Sequence, residues 1–160
     1  MKIGLALREL HRSEADLHHE LLQIADRHRV DHEIYHVAQD LAAWSRDHLR
    51  RIAEQAERYG EHLDPDARGE NGLVARLWDK SSELMGRSSE AELLMLRDLR
   101  GVYLKASGVF VDWELIAQAA QGVRDTELVD VAQSCMGETQ RQTAWANGKL
   151  KESATQALVS

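Results

Sequence analysis

The sequence predicts an all-α fold, a single four-helix bundle spanning residues 1–160, and three observations carry that reading. One proline and ten glycines in 160 residues leave few places where a helix must stop. Apolar residues recur at alternating steps of three and four through four long segments, which is the helical period. Breaks concentrate near residues 29–31, 60–88 and 122–125, giving two helix pairs separated by one long connection.

The first helix is expected over residues 3–28. Its stripe is Ile3, Leu7, Leu10, Leu17, Leu21 and Ile24, with Glu14 set in the middle of it. Arg29-Val30-Asp31 is a short break, and Asp31 is a suitable N-cap. So short a connection makes the second helix, 32–59, antiparallel to the first. The second stripe runs Ile34, Val37, Leu41, Trp44, His48, Ile52, Ala56 and Tyr59, so a histidine stands where a core residue belongs. Gly60, Pro65, Gly69 and Gly72 open a crossover over 60–88, in which Leu73–Met85 has the pattern of a short helix with Leu73, Leu77, Trp78 and Leu84 on its apolar side.

Ser89-Glu90-Ala91-Glu92 reads as a capping box that starts the third helix, 89–121. Its stripe is Leu96, Leu99, Tyr103, Ala106, Phe110, Trp113, Ala117 and Ala120. Gly122 ends it, and Asp125 caps the fourth helix, 125–152, which carries Leu128, Val131, Cys135, Glu138, Gln142 and Trp145 and is expected to fray near Ser153.

The composition narrows the function classes. A hydrophobic fraction of 43% and a charged fraction of 29% are those of an ordinary helical domain. A net charge of −7 argues against a nucleic-acid partner, whose phosphates need a basic face. The lone Cys135 forms no internal disulfide, which fits a reducing compartment. Met1-Lys2-Ile3 leads straight into an amphipathic pattern unlike a signal peptide, and no apolar run is long enough for a membrane span. The expected location is the cytoplasm. Phosphate loops, nucleophile elbows, dinucleotide fingerprints and paired cysteines are all missing, so the sequence establishes no enzymatic activity. Cys135, on an apolar stripe, reads as a small core residue.

A resemblance adds to this reading. The segments Asp98-Leu-Arg-Gly-Val-Tyr-Leu-Lys-Ala-Ser, Phe110-Val-Asp-Trp, Gln118-Ala-Ala-Gln-Gly-Val-Arg-Asp-Thr-Glu-Leu and Glu138-Thr-Gln-Arg-Gln look like small bacterial ferritin-like proteins of unassigned function. The long crossover between the second and third helices is the connection of that superfamily. Its di-metal centres use one carboxylate from each of two helices and a Glu-x-x-His from each of the other two.

Against that pattern, Glu14 matches the first helix. The second helix offers Ser45-Arg46-Asp47-His48, which keeps the histidine and lacks the glutamate. The fourth offers Glu138 followed three residues later by Arg141. The third has Phe110 facing inward at the expected level, with Ser107 and Gly108 beside it and Asp112 and Glu114 on its flanks.

The candidate metal ligands are therefore Glu14, His48 and Glu138. They match no intact di-iron site; they leave either a single iron, manganese or zinc ion or no cofactor. In the metal-free alternative, Glu14 bonds His48 and Glu138 pairs with Arg141 or Tyr103. All eight histidines lie within the first 62 residues, which keeps the metal reading in play. His11 and His18 flank Glu14, and a literal Glu33-Ile-Tyr-His36 lies near His28 and His32 at the end of the bundle. Trp44, Trp113 and Trp145 are read as facing inward.

Three functional readings follow. One is a ferritin-like bundle with a stress- or metal-linked role. A second is a non-catalytic interaction module, a homodimer or other homo-oligomer. The third is a small-molecule binder with a cavity beside Phe110 and the tryptophans.

Overall fold

The computed structural model describes residues 1–67 and 88–160, with side chains from Glu90 in the second stretch. Four helices account for most of them: α1 (Ile3–Arg27), α2 (His32–Glu57), α3 (Ser88–Gly122) and α4 (Thr126–Val159). The described residues contain no strand. The expected short helix over 73–85 lies outside the described residues, as do the side chains of the Ser89 capping box.

Helix ends fall where the local chemistry stops them. The α1–α2 break closes when Asp31 accepts a hydrogen bond from the Ile34 amide at 3.1 Å, the expected N-cap. After α2, Gly60 takes φ +78°, a left-handed conformation that glycine adopts without strain. Arg124 turns the chain between α3 and α4 at φ 58°, and Asp125 then caps α4 through the Leu128 amide at 3.1 Å.

The fraying expected at Ser153 does not occur, and α4 runs on to Val159. Ser153 is buried, and the residues beyond it, Ala154, Gln156, Ala157 and Leu158, are helix formers.

Side-chain ties between helix ends fix the directions. Arg27 and His28, where α1 ends, both bind Asp98 near the start of α3, at 3.0 and 2.8 Å. Lys105 meets Glu20 one step further along, so α1 and α3 are antiparallel. Lys149, late in α4, binds Glu33 in the first turn of α2 at 2.7 Å, while Tyr59 just past α2 donates to Asp125 at the start of α4. Thus α2 and α4 are antiparallel too, and α2 ends at the opposite end of the bundle from the start of α3. Each helix packs on two neighbours, in the cyclic order α1, α2, α4, α3, with α2 and α4 approaching least closely.

The core follows the predicted stripe in α1, where Ile3, Leu7, Leu10, Leu17, Leu21 and Ile24 are all buried. In α3 the buried stripe is Leu99, Val102, Ala106, Val109, Trp113, Ile116 and Ala120, rotated slightly from the expected one. Val109 takes the interior place expected for Phe110, which is half-buried.

Asp125 is the tie at one end of the bundle, because it caps α4 and also receives the Tyr59 hydroxyl and the Arg58 guanidinium. Asp125→Ala is expected to lower stability by about 2–4 kcal/mol, since charged hydrogen bonds and a cap are lost together. Asp31→Ala, mainly a cap, should cost about 1 kcal/mol. Urea denaturation of the two variants checks the order.

Candidate functional site

One residue from each helix meets at the middle of the bundle. Glu14 from α1, His48 from α2, Trp113 from α3 and Cys135 from α4 are all fully buried. Glu14 stays in the leucine stripe because two groups compensate its charge. The Trp113 indole donates to Oε2 at 3.3 Å, and the Nδ1 atom of His48 lies 3.3 Å from the same oxygen. The His48 approach is close enough for ion pairing but is not aligned as a hydrogen bond, so Nδ1 and Glu14 Oε1 both lack a hydrogen-bond partner among the described groups.

On the other side of the ring, His48 Nε2 lies 3.5 Å from Oε1 of Glu138, whose side chain is 28% exposed. The ring also stands edge-on to Trp113, with centroids 6.2 Å apart.

Burial alone would lower the pKa of His48. The Cys135 sulfur and the Glu14 carboxylate beside it favour the protonated ring more strongly and raise the pKa to about 10. The ring is then an imidazolium between two carboxylates, the inner one dry and the outer one at the solvent edge.

This geometry brings together the three residues singled out from the sequence, but along a line. Glu14 and Glu138 lie against opposite nitrogens of one imidazole, and those two nitrogens point in divergent directions. Among the described residues, no group of three or more His, Cys, Asp or Glu side chains is placed to hold a metal ion. A two-metal centre does not fit this donor set: α3 contributes an indole N–H at the site, a donor where a metal needs an acceptor.

The neighbouring candidates have other partners. His11 lies 2.7 Å from the Asp64 carbonyl rather than beside Glu14. Glu33 is taken by Lys149 and His28 by Asp98, while His36 packs edge-on against Tyr35. Arg141 is exposed, and the partner of Glu138 is His48 rather than the expected Arg141 or Tyr103.

Sequence reasoning treated Trp113 as core filling or the wall of a pocket and Cys135 as a small core residue, and missed both as neighbours of the charged pair. The α4 stripe held the signal, since Cys135 and Glu138 sit one turn apart. Trp44 and Trp145 are half-buried rather than fully interior. A groove of about 400 Å³ lies between the outer faces of α1 and α2, lined by His18, Leu22, Tyr35 and Arg46 among others, and not beside Phe110 or the tryptophans.

No family model matches the chain, and neither does any curated protein or solved structure.

Removing one partner of a buried charge pair strands the other. Glu14→Ala and His48→Ala should each cost about 3–5 kcal/mol, whereas Glu138→Ala, at the wet edge, should cost about 1 kcal/mol or less. Equilibrium denaturation measures all three.

The pair also sets a pH dependence. The folded pKa of His48 lies above the unfolded value of about 6.5, so its stabilisation is complete below that pH. It is lost as pH rises through about 10. The denaturation midpoint of the native chain should therefore fall between pH 7 and 10, and the fall should be shallower in His48→Gln.

Proposed function

We propose that this chain is a non-catalytic bundle that works by association with a second copy of itself. The observation that carries the reading is the surface of α3. Leu93, Leu104, Val111 and Leu115 are each about half exposed or more, on a helix whose opposite face already fills the core. Leu104, Val111 and Leu115 share one helix face, and clustered exposed apolar side chains mark interaction sites. The central polar residues support the reading from the other side, because they are occupied with one another: Glu14 with His48 and Trp113, His48 with Glu138.

The helix order, with α2 ending and α3 starting at opposite ends, is the connection used by ferritin-like bundles. We read the chain as one of that kind with an incomplete ligand set. A metal-linked role is the second reading. Its specific support is that Glu14 Oε1 and His48 Nδ1 are buried without hydrogen-bond partners; an ion that displaced the Nδ1 proton would find two ligand atoms there.

Two measurements separate the readings. Sedimentation equilibrium of the purified chain should give twice the chain mass of 18.1 kDa at micromolar concentration, and a monomer throughout that range would overturn the association reading. Metal per chain, measured by mass spectrometry after aerobic iron loading, should stay far below one. A ratio near one that is lost in Glu14→Ala would favour the second reading.

A further inference from the structure

The outer face of α3 has an internal order that specifies how a second copy would sit on it. Leu104, Gly108, Val111 and Leu115 are spaced by four, three and four residues, so they form one stripe along the helix, directly opposite the buried stripe of Ala106, Val109 and Trp113. Arg97 and Arg100 lie on the N-terminal half of this surface. Asp112 and Glu114 are the charged residues of the C-terminal half, where α3 has no basic residue from Ala106 to Gly122. None of these four charges is paired with another described residue.

Gly108, at the middle of the stripe, is the second observation. Glycine inside a helix is destabilising relative to alanine, so it calls for a reason such as a close approach. Among the described residues there is none, since a Cβ added at Gly108 would meet nothing within 4 Å there. Gly137 and Gly148 on α4 are equally open, but Gly137 is flanked by Gln133, Ser134, Gln140 and Arg141 and Gly148 is followed by Lys151 and Glu152, whereas Gly108 is flanked on both sides by exposed Leu104 and Val111.

We propose that two copies of the chain pair through α3, antiparallel and crossing at Gly108. The two-fold axis then sets Leu104 of one copy beside Val111 of the other, with Leu115 next along the stripe. It also brings Arg97 and Arg100 of each helix toward the acidic half and the negative end of the helix dipole of its partner, while Glu90 and Glu92, the acids of the first turns, fall beyond the end of the partner's α3. A parallel pairing would oppose like charges.

A second copy is favoured over residues 68–87 of the same chain by where the described chain leaves the bundle. The polar ties of residues 61–66 run to Arg8, His11 and Arg50 of α1 and α2.

This inference rests on the self-association reading above, and the test separates the two. Sedimentation equilibrium is run on the native chain, on Leu104→Glu/Leu115→Glu, on Gly108→Leu, on Arg97→Glu/Arg100→Glu, and on that last variant combined with Asp112→Lys/Glu114→Lys. Circular dichroism of each variant confirms that it is folded.

The expected result is a native dimer, with the first three variants dissociating at least roughly tenfold more readily and the combined charge swap restoring the dimer. A native dimer that all the variants retain would overturn the α3 pairing and leave self-association standing. Failure of the combined swap to restore a dimer lost in Arg97→Glu/Arg100→Glu would overturn the antiparallel geometry. A monomeric native chain would overturn both readings, and loss of folding stability in Leu104→Glu/Leu115→Glu would then point to residues 68–87 as the cover.

Discussion

A carboxylate and an imidazole buried together in a leucine core hold their charges only by cancelling them, and the Glu14–His48 pair imposes that condition on everything around it. Glu14 and His48 are fully inaccessible to solvent, so each needs the other in place before its helix can seat. Trp113 supplies the remaining donor to Glu14 from α3, and Glu138 of α4 closes the far side of the ring. All four helices are thereby held at one level. An apolar core alone would favour close packing without choosing which turn of one helix faces which turn of another.

How much of this was legible in the sequence depended on contrast. Glu14 stood out because every neighbour in its stripe is leucine or isoleucine, and His48 because it interrupts a stripe of the same kind. The end of α1–α2 and the cap of α4 were legible for a similar reason, since an aspartate before an amphipathic run has one common use. The face of α3 was less legible, because the helix is apolar on both sides and its period admits more than one rotation. Val109 and Phe110 are adjacent, and only the packing of α1 and α4 against α3 decides which goes inside. Lys149 and Ser153 were invisible as core residues for another reason. A buried lysine makes sense only once Glu33 and Asp31, more than a hundred residues away, are known to lie beside it.

The seams of the bundle are unlike one another. Between α1 and α3 polar ties join Asp98 to Arg27 and His28, Glu20 to Lys105 and Glu14 to Trp113, and leucine, isoleucine, valine and alanine fill the core around them. Along α2 and α4 the contacts are polar from end to end. Lys149 meets Glu33, Gln142 donates to Ser45 and to the Leu41 carbonyl, His48 meets Glu138, Arg51 meets Ser134, Gln55 meets Glu127, and Arg58 and Tyr59 meet Asp125. Long side chains spanning this seam account for α2 and α4 being the least closely approaching pair. Each contact is a small net contribution in a folded protein, because water competes for the same groups.

Leucine seams forgive sliding: a helix moved along by one heptad still finds apolar side chains opposite. The α2–α4 seam does not. Moved by seven residues, α4 would set Gln142 or Gln156 where Lys149 belongs, leaving Glu33 and Asp31 without their cation. It would also set Val131 or Trp145 where Glu138 belongs, leaving one side of a buried imidazole bare. The seam thus gives every residue of α4 a single address, so misthreaded bundles of the same composition are penalised at several points at once.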